Sequence, residues 1–329
     1  MKYLPNFIDR YLRTSSVIGG PDGTAGSKYR NPIVPNTWFA DGQNGSDSNT
    51  GLDPRKPLKT ILEVLTRVQS GDTVYLTGNF AEEAGNTPKN VEDVTFIGVG
   101  GRPRHADAAR DAKANQFGFT DQNSGASWRP PATESGTTPL ITVVHQGWTF
   151  ENILFVAPTD AAAIKLDHSV VSGADDGGGS HLTVRNCRFA DGSIGIEDED
   201  GHFNVLVEDC TFQDLGDGIK NTSTSNAIPL MWRVRNCWFN GNDNHIRVSA
   251  SRWLIHDNYF GPIGSGVGIT LNFVSSQGAN NVVTKNYLSG DYDGEYLGGT
   301  GDEWAGNFSM DTASAEVGAE GLTTAAPVA

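Results

Sequence analysis

Hydrophobic and polar positions alternate with a period of two through three stretches built on one pattern. They are Val184-Arg185-Asn186-Cys187-Arg188-Phe189, Val207-Glu208-Asp209-Cys210-Thr211-Phe212 and Val234-Arg235-Asn236-Cys237-Trp238-Phe239. Weaker copies begin at Phe150, Ile255 and Val283, and successive copies start 34, 23, 27, 21 and 28 residues apart. A repeat of this length with uneven spacing predicts a solenoid of constant strands and variable loops rather than stacked helices. Period-two alternation turns the valine inward, the next residue outward and the Asn or Asp inward, at a turn that asparagine tolerates well. Cys and Phe then resume the alternation. A third short strand follows at Ile194-Gly195-Ile196, Gly218-Ile219, Ile246-Arg247-Val248 and Val267-Gly268-Ile269. Three short strands per turn, stacked about 4.8 Å apart, describe a parallel β-helix. Its expected ladder is Asn186, Asp209 and Asn236, Cys187, Cys210 and Cys237, and Phe189, Phe212 and Phe239.

Ahead of the repeats, Leu58, Ile61, Leu62, Leu65 and Val68 recur at helical spacing. They predict an amphipathic helix over residues 57–69 that begins at Pro57 and covers the open end of the coil stack. Asp41, Asp47, Asn49 and Asp53 do not follow calcium-loop spacing and are read as turn residues. A polar stretch at about 101–139 interrupts the pattern, and a loop of that length is functional, disordered or a lid. Arg102, Arg104, Arg110, Lys113 and Arg129, with Trp128, stand out there as partner contacts.

Charge and cysteine content narrow the function. The chain has 329 residues and a net charge of −15, which disfavours nucleic acid and membrane headgroups as partners. No apolar run reaches the roughly 18 residues that a membrane span needs. Three cysteines at one slot of successive coils form a thiol ladder rather than disulfides or a metal site. Reduced thiols, and an N-terminus that lacks the apolar core of a secretory signal, predict synthesis and folding in a cytoplasm.

Candidate chemistry lies on the outward side of the third strand. Counting from each Phe places Ile196, Ile219, Ile246 and Val267 inward, so Glu197, Lys220, Arg247 and Gly268 face outward, with Gly195, Gly218, His245 and Gly266 at the preceding outward positions. Glu197, Lys220, His245 and Arg247 thus form one patch, with Asp198, Asp200, Asp214, Asp217 and Asp243 in nearby turns. Asp214 and Asp217 are a candidate acid/base pair for glycoside hydrolysis. A stacked Glu, Lys and Arg column equally serves to avoid like-charge repulsion. His145, His168, His181, His202 and His256 are read as ordinary surface or turn histidines.

Trp38-Phe39-Ala40-Asp41-Gly42-Gln43-Asn44-Gly45, Pro57-Leu58-Lys59-Thr60-Ile61 and Gly71-Asp72-Thr73-Val74-Tyr75-Leu76, with the repeats, resemble pectate-lyase-like right-handed parallel β-helix proteins. The resemblance implies an all-β, single-stranded right-handed parallel β-helix, with three short strands per coil and an N-terminal capping helix. It also implies an active site on the outward face described above. Lys220 or Arg247 would then be the base, and Glu197 with Asp198 or Asp200 the calcium ligands, calcium being the cofactor only of a lyase. Lyases, hydrolases, adhesins and phage proteins share the fold.

Residues 1–36 form an N-terminal docking arm in which Phe7, Ile8, Tyr11 and Leu12 sit at helical spacing with Leu4. Residues 37–290 form the β-helix, and 291–329 a C-terminal extension that needs a partner to become ordered. With its Gly101-Arg102-Pro103-Arg104-His105 and Ser127-Trp128-Arg129-Pro130-Pro131 phrases, the chain resembles virion-associated members of the group in tailed bacteriophages. That implies a capsid decoration, cement or spike protein located in the virion. Its partners would be major capsid or tail proteins, with surface glycans as further contacts and a homotrimer as the favoured oligomer. The alternative is a tailspike-type polysaccharide lyase or glycoside hydrolase acting on the outer strand face.

Overall fold

The computed structural model describes residues 35–88, 90–100, 125–132, 136–169, 179–221, 228–271, 279–311 and 313–327. The arm residues Phe7, Ile8, Tyr11 and Leu12, and the loop residues Arg102, Arg104, Arg110 and Lys113, lie outside this range.

Every strand pairing among the named elements is parallel, and three faces wind around one axis. The first face runs through Thr183–Arg185, Leu206–Glu208, Arg233–Arg235, Leu254–His256 and Val282–Thr284. A second stacks Arg188–Ala190, Thr211–Gln213, Trp238–Asn240, Tyr259–Phe260 and Tyr287–Leu288. The third is a seven-stranded sheet from Ile141–Val143 to Tyr296–Leu297. In register, the inward side chains stack like on like. Phe155, Phe189, Phe212, Phe239 and Phe260 have centroids 5.1, 4.8, 4.6 and 4.9 Å apart. Each such aromatic contact contributes about 0.5–1.5 kcal/mol beyond its buried area.

One residue makes the corner between the first and second faces. Asn152, Asn186, Asp209, Asn236, Asp257 and Lys285 all have φ between 51° and 57°. This left-handed conformation is the reason for the asparagines, and it corrects the expected ladder: the corner rotates the side chain out, so Asp209 and Asn236 are exposed and Asn186 is half-buried. The following slot points inward instead. It holds Cys187, Cys210 and Cys237, each 2% exposed, and then Asn258, Asn286 and Asn307. Asn258 Nδ2 donates to Asn286 Oδ1 and Asn286 Nδ2 to Asn307 Oδ1, both at 2.9 Å. The amide ladder that satisfies buried backbone groups is real, one residue later in the pattern and nearer the C-terminus.

Four further expectations need correction. The capping helix is Ile61–Arg67 with Thr60 as N-cap, because Leu58 is drawn into an extended bridge with Ala40. Leu62 is consequently 55% exposed. Within the 101–139 stretch, Ala126–Arg129 forms a rung of the second face between Thr73–Ala81 and Ile153–Val156. Trp128 is therefore fully buried, with its indole N–H donating to the Glu82 carbonyl, and offers no surface to a partner, whereas Arg129 is exposed. Finally, the coil stack continues past residue 290 through Tyr296–Leu297, Glu303–Ala305 and Phe308–Ser309. Residues 313–327 close it with antiparallel bridges Phe308–Leu322 and Val317–Thr323.

Candidate functional site

The third face aligns one outward column, Thr142, Lys165, Glu197, Lys220, Arg247 and Thr270. Glu197, Lys220 and Arg247 thus stand side by side. Past them the register differs from the sequence count: Ile246 pairs with Ile269, so Thr270, not Gly268, continues the column. Val267 falls short of the strand because the connection from Phe260 to Ile269 is two residues longer than the equivalent connections from Phe189, Phe212 and Phe239.

The position two residues before the column also differs. The strands bulge there, so that consecutive residues face the core: a Cβ on Gly195 would lie 3.0 Å from the Phe212 ring and 2.6 Å from the Gly218 carbonyl. Gly218 holds the same slot on the next coil and His245 on the one after. His245 is fully buried, its ring 5.8 Å from that of Phe239, with Nε2 donating to the Gly261 carbonyl at 2.8 Å and Nδ1 accepting from Asn242 Nδ2 at 3.1 Å. Burial pulls its pKa down to about 4, the Gly261 hydrogen bond opposing the shift. A neutral, enclosed ring cannot meet a substrate, so His245 leaves the candidate patch.

Neighbouring carboxylates take up the column's cations. Asp217, 5% exposed, accepts from Arg247 Nη2 at 2.7 Å and Asn244 Nδ2 at 2.9 Å, with Lys220 Nζ at 3.4 Å. Lys165 pairs with Asp167 at 2.9 Å and with Glu199. Burial would lower the Lys165 pKa, but these two carboxylates outweigh it and hold the ammonium above its ordinary range. Burial alone would likewise raise Asp167, yet the Ser169 and Lys165 hydrogen bonds and contact with Asp200 bring it down to about 2. Asp214 sits at φ 55° in a turn and accepts from Gln213 Nε2 at 3.0 Å, while Asp217 serves as the Arg247 anchor. Asp243 accepts from Ser265 Oγ at 3.3 Å.

The calcium set does not converge. Glu197 and Asp198 are successive strand residues and project to opposite sides. Asp198 is 1% exposed and turned inward, where it accepts from the backbone N–H groups of Gly201 and His202. Among the described residues, no group of three or more His, Cys, Asp or Glu is placed to hold a metal ion.

At the end of the column lies an arrangement that the sequence reading passed over. Asp198 Oδ1 is 2.6 Å from His202 Nδ1, and His202 Nε2 is 3.3 Å from His168 Nδ1. Asp200 Oδ2 lies 3.5 Å from the same His168 nitrogen. The facing carboxylate selects the tautomer with its proton on Nδ1, which turns His202 Nε2 towards His168 Nδ1 as an acceptor. The His168 ring is 28% exposed, and among the described residues its Nε2 has no hydrogen-bond partner. His202 is 2% exposed, and His145, also buried, accepts from the Asn90 N–H at 2.9 Å. Neither is a surface histidine. Residues 34 positions apart meet here because the strands that precede them, Ala162–Leu166 and Ile194–Asp198, pair on adjacent coils, which no local pattern displays.

Residues 158–306 match the family described as a right handed beta helix region. No curated protein sequence matches the chain. Among solved structures it is similar to an alginate lyase from Paenibacillus sp. str. FPU-7, at 15% identity and a TM-score of 0.49 over 83% of this chain and 97% of that one. It is also similar to a pectin methylesterase from Aspergillus niger, at 11% identity and a TM-score of 0.47 over 84% and 87% of the two chains. A third is pectate lyase Pel9A, at 15% identity and a TM-score of 0.41 over 83% and 75%. The parallel register and the family match make the fold a right-handed parallel β-helix; likeness at these identities assigns no activity.

Proposed function

We propose that the chain is a structural surface protein of a bacteriophage virion, a capsid decoration, cement or spike protein built on a rigid β-helix. The observation that carries the reading is the fate of the third face: Lys165, Lys220 and Arg247 are each drawn onto carboxylates of their own coil or the neighbouring one. Such a face braces the stack against like-charge repulsion and leaves little free charge for catalysis. Reduced, buried cysteines and an N-terminal arm at residues 1–36 that carries a short amphipathic segment support assembly onto major capsid or tail proteins, with a homotrimer as the favoured state. The test is mass spectrometry of gradient-purified particles from cells expressing the gene in its native setting. Stoichiometric presence in the particle supports the reading; absence from the particle overturns it.

A second reading, a polysaccharide lyase or hydrolase on the same face, is favoured by the Asp198–His202–His168 contact, which places a partly exposed imidazole at the end of the column. Incubation with acidic polysaccharides, following unsaturated products and reducing ends separately, tests it. Turnover abolished by His168→Ala supports this reading, and no turnover on any substrate counts against it.

A further inference from the structure

Charge is unevenly distributed along the sequence. Residues 286–329 contain eight carboxylates and no Lys, Arg or His, for a net −8. The whole chain is −15, so the preceding 285 residues carry only 24 − 31 = −7. The third face balances acid with base from coil to coil, and the C-terminal cap has no cation of its own with which to do so.

The same end exposes apolar surface. Phe308, Met310 and Leu322 are 44%, 61% and 47% exposed. They adjoin one another, because Phe308 and Met310 flank buried Ser309 on one side of the chain while Leu322 bridges to Phe308. Next to them a cleft of about 590 Å³ is lined by Asp291, Asp293, Asp311 and Met310. Phe308 is also the last ring of an outward stack, Trp238, Tyr259, Tyr287 and Phe308, with centroids 5.9, 4.8 and 5.5 Å apart. These rings lie face to face and present mainly their edges, an arrangement suited to side chains of a protein rather than to the flat faces of sugar rings.

From this juxtaposition we infer that the C-terminal cap is a docking surface for a cationic amphipathic segment of another protein, whose apolar side covers Phe308, Met310 and Leu322 while its Lys or Arg residues enter the aspartate-lined cleft. Apolar contact provides adhesion, and the unbalanced −8 selects the sign of the partner and speeds its arrival. A nucleic acid is repelled by the same charge. The inference stands without the virion reading, since it concerns the chemistry of the partner and not the particle it belongs to.

The probe is a fluorescein-labelled amphipathic peptide of Leu and Lys, with a Leu and Glu peptide of the same pattern as its counterpart, titrated against the full chain by anisotropy in buffer containing EDTA. The Lys peptide is expected to bind, more weakly as salt rises, and the Glu peptide not to bind. Met310→Ser with Leu322→Ser, and separately Asp293→Lys, each weaken binding by about tenfold or more. Asp53→Lys, the same change of charge at the other end of the chain, leaves binding within about twofold. Unchanged circular dichroism shows that each variant is folded. If Asp53→Lys weakens binding as much as Asp293→Lys, or if the two serine substitutions have no effect, the attraction is a general one and the docking surface is refuted. Failure of the Lys peptide to bind in this buffer also refutes it.

Discussion

The backbone N–H of Cys237 donates to Oδ1 of Asn258 at 2.8 Å, joining the thiol column and the amide column into a single internal ladder. Above the junction each thiol contacts a carbonyl of the preceding coil, as Cys210 Sγ does with Val184 O at 3.5 Å. Below it every rung carries several strong hydrogen bonds. The side chain of Asn286 alone makes four, accepting from Asn258 N and Nδ2 and donating to Ile255 O and Asn307 Oδ1.

The ladder is therefore stiffer at its amide end. Asn286→Ala orphans buried donors and a carbonyl on two coils, at a cost of about 3 kcal/mol or more. Cys210→Ala removes one small apolar group and a weak donor, at a cost of about 1–2 kcal/mol. Urea unfolding of the two variants measures the difference, and a larger loss for Cys210→Ala would contradict this account of the ladder.

Acid weakens the fold through His245. Its folded pKa is about 4 against an ordinary 6.5, so between these values the unfolded chain takes up a proton that the folded chain refuses. The sign follows: stability from this group is complete above about pH 6.5 and falls as the pH drops towards 4, by about 3 kcal/mol over the whole interval. His245→Leu removes the dependence while carrying a fixed penalty for the unpaired Asn242 and Gly261 groups. Unfolding free energies at pH 7 and pH 4.5 are expected to differ by less in the variant than in the parent; an equal difference would place the titrating group elsewhere.

Asp217 gathers Arg247, Asn244 and Lys220 at one carboxylate. Asp217→Asn keeps the shape and loses the charge. A double-mutant cycle of Asp217→Asn with Arg247→Gln is expected to give a coupling of about 1–2 kcal/mol, above an ordinary exposed pair because Asp217 is nearly buried. Coupling near zero would make the pair incidental and release Arg247 for chemistry.

Strand positions were legible wherever side chains simply alternate: Val184, Val207 and Val234, and Phe189, Phe212 and Phe239, face the core as their spacing requires. Legibility fails at backbone irregularities. The left-handed corner turns Asn236 outward, and the bulge turns His245 inward, although simple counting places each on the opposite side. Trp128 shows a different limit. Its surroundings of Ser, Arg and Pro are polar, yet two neighbouring rungs claim it for the second face. The His168–His202 contact depends on the register between coils, and one sequence read alone carries no term for it.

The thiols give a direct measure of how tightly the coils close. Only a thiolate attacks a disulfide reagent, so labelling needs both access and ionisation. Cys187, Cys210 and Cys237 lack access, each 2% exposed. Ionisation is also opposed at Cys210, where burial, followed by the Cys187 and Cys237 thiols on either side, pushes the pKa well above its ordinary value. In native buffer at pH 8 an aromatic disulfide reagent is accordingly expected to label none of the three within minutes, and to label all three at once in urea. Because the cysteines occupy adjacent coils, they should also become reactive together, at a rate set by opening of the stack and independent of reagent concentration when the reagent is abundant. One thiol reacting early, at a rate proportional to reagent, would show a coil that opens by itself and would break the picture of a single continuous ladder.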